Sequence, residues 1–64
     1  MNKERRKVLL DYLPQMHYCL NDIEGELIRE DIQGLEASFE YLDSVMDILY
    51  ESIQEAKNKG ELES

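Results

Sequence analysis

Apolar residues recur along this chain at alternating intervals of four and three. In the first half they are Leu9, Leu13, Met16, Leu20, Ile23 and Leu27; in the second, Leu35, Phe39, Leu42, Met46, Leu49, Ile53 and Ala56. Such spacing repeats every ~3.5 residues and gathers each set on one face of an α-helix. A step of eight positions separates Leu27 from Leu35. Register alone would allow one continuous rod across it. Gly25 and Gly34 weigh against the rod, because glycine inside a helix costs about 1 kcal/mol relative to alanine. The pattern therefore predicts an all-α protein with helix 1 over about 3–30 and helix 2 over about 34–58.

The helix ends carry their own signals. The connection falls around Arg29–Gly34, with Asp31 as a candidate N-cap for helix 2 and Gly34 as the alternative turn residue. Glu36 and Glu40 follow in the first turns, where the helix dipole favours acids. Lys57 and Lys59 lie near the far end, where it favours cations. Gly60 suits the residue just past a helix, leaving residues 60–64 as a frayed tail on a single domain spanning 1–64. Pro14 interrupts helix 1, since an interior proline removes a hydrogen bond and clashes with the preceding turn. Leu9, Leu13 and Met16 nevertheless keep register across it. Helix 1 is thus either kinked near Pro14 or split there, with proline opening the second piece.

Two such helices on a short connection make an antiparallel hairpin. A hairpin alone covers only one side of each apolar row, whereas two hairpins packed together make a four-helix bundle with a full core. A chain of 64 residues buries too little surface to be more than marginally stable alone. A homodimer is therefore expected. Its interface would use Leu9, Leu13, Met16, Leu20, Ile23, Leu27, Leu35, Phe39, Leu42, Met46, Leu49 and Ile53. In length and heptad layout the chain is similar to the plasmid copy-control hairpins, which are dimeric four-helix bundles. That likeness is confined to length and heptad layout, matches no functional residue, and nothing is carried over from it.

Charge changes the picture of what the surface is for. Fifteen acidic residues face seven basic ones, for a net charge of −8. Residues 1–16 carry +2 and residues 17–64 carry −10. So acidic a body is repelled by nucleic-acid phosphates and favours a basic protein surface. Cys19 is the only cysteine, which rules out an internal disulfide and fits a reducing cytoplasmic compartment. The apolar run Val8-Leu9-Leu10 is too short for a signal peptide.

Helix 2 has two further faces. A second apolar row, Tyr41, Val45 and Ile48 followed by Ser52, widens the apolar arc as in a helix with two neighbours. On the other flank lies an acidic row, Glu36, Glu40, Asp43 and Asp47, with no cation interrupting it. Like charges at these spacings repel, so fold stability does not explain the row. It is the candidate partner-binding surface, together with Tyr41 and Tyr50. A second candidate is the basic start Lys3, Arg5, Arg6 and Lys7, which opposes the helix dipole. Its three readings are a solvated helix start, a pairing with the acidic face of another subunit, and a contact with nucleic acid. Phe39 reads as core, while Tyr18 and Tyr50 fall off both rows.

Catalytic chemistry finds little to work with. His17 and Cys19 diverge around a helix, the Glu-x-x-His metal motif fails because Pro14 occupies the glutamate position, and no glycine-rich phosphate loop exists. No cofactor, no metal and no enzymatic activity are expected, and no membrane span. Small acidic helical chains of this kind are common among regulators and inhibitors of mobile elements. The reading is a small cytoplasmic protein that regulates or inhibits another protein through its acidic face, one form of which would imitate nucleic-acid phosphates and block a nucleic-acid-binding host protein. The alternatives are a nucleic-acid-binding regulator using the basic start and a purely structural assembly module.

Overall fold

The computed structural model describes residues 1–61. It contains α1 (Lys3–Arg29) and α2 (Ile32–Asn58), packed side by side as a hairpin. The body measures 45 × 17 × 14 Å, the length expected of two helices of 27 residues at ~1.5 Å per residue.

Local chemistry sets each helix end. Asn2 caps α1, its side-chain oxygen accepting from the Arg5 amide at 2.7 Å. The helix then runs through Pro14 without a break, so helix 1 is not split. Register wins because Leu9, Tyr12, Met16 and Cys19 pack on either side of the proline while Pro14 itself faces solvent. At the far end Glu30 adopts the left-handed conformation, φ 54°. Its amide bonds to Leu27 O at 3.2 Å and the Asp31 amide to Glu26 O at 2.9 Å, the paired pattern that closes a helix C-terminus. Asp31 caps α2, accepting from the Gly34 amide at 3.0 Å. The second helix therefore begins two residues before the expected Gly34, which moves Glu36 out of its first turn. Gly34 serves close approach, not a turn: a Cβ there would collide with the carboxylates of Glu26 and Asp31.

The seam between the helices lies to one side of the predicted rows. On α1 the side chains shielded from water are Arg5, Leu9, Tyr12, Met16, Cys19, Ile23 and Glu26; on α2 they include Ser38, Leu42, Val45, Leu49, Ser52 and Ala56. Only half of each predicted row takes part. Val45 and Ser52, from the second apolar row, supply much of the contact instead. Polar residues knit the seam. Cys19 Sγ donates to Ser38 O at 3.3 Å and Ser38 Oγ donates to Glu26 Oε1 at 2.6 Å. The buried apolar set is small, just Cys19, Ile23, Val45 and Ala56 among the described residues.

The start of α1 is clasped to the end of α2. Gly60, at φ 73°, reverses the backbone after α2, and the Glu61 amide returns to Ala56 O at 2.8 Å. A left-handed residue is needed there, which glycine supplies without strain. The turn carries Glu61 onto Arg5, whose Nε donates to Glu61 Oε1 at 2.8 Å and whose Nη1 donates to Ser52 O and Oγ at 3.0 and 2.9 Å. Glu61, expected in a free tail, is instead an anchor. Residues 62–64 of that expected tail lie outside the described residues.

Candidate protein interface

The unused half of each predicted row remains on the surface. Leu13, Leu20 and Leu27 from α1 are 41, 51 and 59% exposed; Phe39, Met46 and Ile53 from α2 are 53, 51 and 40% exposed. Both sets lie on the same side of the hairpin, because each is displaced by the same hand from its own seam residues. Beneath them sit the half-buried Leu9, Met16, Leu42 and Leu49. The six exposed side chains present on the order of 500 Å² of apolar surface, at the upper end of what monomers leave uncovered. Within the rows, only Ile23 and Ala56 are buried by the hairpin's own packing.

The acidic row borders this face. Glu36, Glu40, Asp43 and Asp47 are all exposed, and a shallow depression lined by Phe39, Glu40, Leu42, Asp43 and Met46 marks the boundary between acid and apolar surface. Among the described residues, every ion pair uses Arg5 or Lys59 with Glu55 or Glu61. None involves the acidic row. Tyr50, 65% exposed, stands beside the row on the apolar side.

Tyr41 does not join it. It lies on the opposite edge of the hairpin, where its hydroxyl donates to Gln15 Oε1 at 2.9 Å, and it lines a shallow groove with Tyr18, Asp22 and Ala37. Ile48 follows it on that side, 44% exposed. The second apolar row is therefore divided between the seam and the back surface.

The basic start is also divided. Arg5 is turned inward and committed to Glu61, Ser52 and Glu55; these carboxylates hold its guanidinium above its ordinary pKa, with Glu61 contributing most. Lys3, Arg6 and Lys7 remain exposed. Glu61 is held below the ordinary carboxylate value by Arg5, and Glu55 by Lys59 first and Arg5 second. His17 is exposed, and among the described residues no group of three His, Cys, Asp or Glu is placed to hold a metal ion. No helix among them is long and apolar enough to cross a membrane.

Sequence reasoning missed Arg5, Glu26, Ser38 and Ser52 as seam residues because it followed apolar side chains alone. A signal was present: Arg5, Tyr12, Cys19 and Glu26 repeat every seven residues beside the apolar row. No family model, curated protein or solved structure matches this chain.

Proposed function

We propose that this chain is a protein-binding regulator built as a homodimer. Two hairpins close on each other through Leu13, Leu20, Leu27, Phe39, Met46 and Ile53, completing a four-helix bundle. The acidic row Glu36, Glu40, Asp43 and Asp47, with Tyr50 beside it, then meets a basic surface on another protein and blocks or modulates it. One observation carries this reading: a continuous apolar face is exposed next to an acidic row that, among the described residues, forms no ion pair with a cation. The core left inside one hairpin is thin, and covering the face supplies what it lacks.

The basic start supports a nucleic-acid reading less well, because Arg5 is spent on its own chain and the body is strongly acidic.

The test reverses two outward carboxylates, Glu40→Lys with Asp47→Lys. A protein recovered from the native host with the wild-type chain should be lost with this variant, while helicity and oligomeric state stay unchanged. Retention of the same partner would overturn the acidic-face reading. In parallel, Leu13→Glu with Met46→Glu should convert a dimer to a helical monomer in light scattering.

A further inference from the structure

The hairpin's two ends differ in charge. Lys3, Arg5, Arg6 and Lys7 at the start of α1 lie beside the end of α2 with Lys57 and Lys59. The half nearest the turn, residues 17–43, has one arginine against eight carboxylates, a net of −7; the other half has six cations against seven acids, a net of −1.

A twofold pairing of the apolar faces can be built in two ways. With the axis along the bundle, α1 lies against α2 of the second copy, and the two turn ends sit side by side. With the axis across the bundle, α1 lies antiparallel to α1 and α2 antiparallel to α2, so each turn end meets an open end. The first arrangement crowds two −7 halves together. The second sets the turns apart by most of a 45 Å body, several times the screening length of about 8 Å at physiological salt.

The border residues give the same answer. Lys3, Leu10, His17 and Glu24 on α1, and Glu36, Asp43, Tyr50 and Lys57 on α2, recur every seven residues along the outer edges of the apolar face, and all are exposed. Place the crosswise axis at the level of Leu13 and Met46. Lys3 then faces Glu24 of the second copy, Glu36 faces Lys57, Asp43 faces the Tyr50 phenol, and Leu10 faces His17. Leu13 packs on its own copy, as does Met46, and Phe39 meets Ile53, while Leu20 lies along the aliphatic stems of Arg6 and Lys7 and Leu27 reaches the Met1 end, both at the rim of the contact. Leu13 and Met46 share one level of the hairpin, since the cross-seam contact between Arg5 and Glu55 fixes nearly that register. The lengthwise arrangement instead sets Lys3 against Lys57 and Glu24 against Glu36.

We infer that the dimer is crosswise, α1 on α1 and α2 on α2, with its register fixed by the Lys3–Glu24 and Glu36–Lys57 pairs between copies. The inference rests on the self-association proposed above. Its apolar face, with the half-buried residues beneath and the rim around it, approaches the ~800 Å² per partner of a standard interface. It also joins the two acidic rows into one surface, so the basic partner would be met by both copies together. Asp47 comes nearest its own copy there, at an outward position where solvent screens the repulsion.

The test is a charge-swap cycle followed by sedimentation equilibrium at low salt. Lys3→Glu should weaken the dimer roughly fivefold, through two symmetric border pairs of exposed-salt-bridge strength. Adding Glu24→Lys should restore it. Within one chain these residues are about 30 Å apart along a single helix, so rescue reports contact between copies. Lys3→Glu also suits the α1 N-terminus, so weakening cannot come from a lost helix, and circular dichroism checks this. A tighter dimer with Lys3→Glu would establish the lengthwise arrangement and overturn the inference. No change and no rescue would overturn it as well. A wild-type chain that stays monomeric across the micromolar range would instead defeat the self-association reading beneath it.

Discussion

The Ser38 hydroxyl donates a 2.6 Å hydrogen bond to the Glu26 carboxylate across the seam. Glu26 is 8% exposed, and no apolar residue could use that space in the same way, because Gly34 leaves room for a carboxylate lying close to the α2 backbone. Ser38→Ala should remove the donor and leave a shielded acceptor unpaired, at a cost of about 1–3 kcal/mol. Adding Glu26→Met removes the acceptor too, and the double variant should lose less than the two single losses added together. Urea midpoints of the four proteins measure this; strict additivity would show that the bond has no energetic role.

The Arg5 clasp predicts a pH dependence. Glu61 and Glu55 titrate below their ordinary value of 4.5 in the folded chain. Groups with lowered folded values stabilise the fold above the unfolded value and lose that contribution as pH falls through the folded one. Stability from the clasp should thus be intact at neutral pH and fade below about 4.5. Arg5 stays charged throughout. Glu61→Gln should be less stable than wild type at pH 7, and the difference should shrink in acid. A difference independent of pH would show that the clasp is not ionic.

Glu30 holds a left-handed conformation at φ 54°, which disfavours any residue with a Cβ. Glu30→Gly should therefore raise stability by about 0.5–1 kcal/mol, the strain relieved exceeding the added freedom of the unfolded chain. A thermal melt reads the gain as a rise of several degrees. A lower melting temperature would mean that the Glu30 side chain contributes more than its backbone costs.

Much of the architecture was legible in the residues. The 4-3 spacing of Leu9 through Leu27 and Leu35 through Ala56 gave two helices, Asp31 gave the cap between them, and Gly60 gave the stop. Pro14 was ambiguous because local cost and long-range register oppose each other, and packing of Leu9, Tyr12, Met16 and Cys19 around it decides for one helix. The acidic row was legible as a row, since helical spacing alone places Glu36, Glu40, Asp43 and Asp47 together. Tyr41 was misplaced beside it because nearness in sequence does not follow the turn of a helix.

By itself, then, the sequence determined helix number, helix ends and the faces each helix owns, because these follow from backbone geometry and the period of the side chains. Which faces meet was decided only by tertiary packing. Both helices have apolar arcs wider than one contact can cover, so rows alone do not say which part of the arc turns inward. The fit of Ser38 to Glu26, the close approach at Gly34 and the reach of Arg5 to Glu61 rotate the seam to one side. That rotation leaves Leu13, Leu20, Leu27, Phe39, Met46 and Ile53 outside, beside the acid.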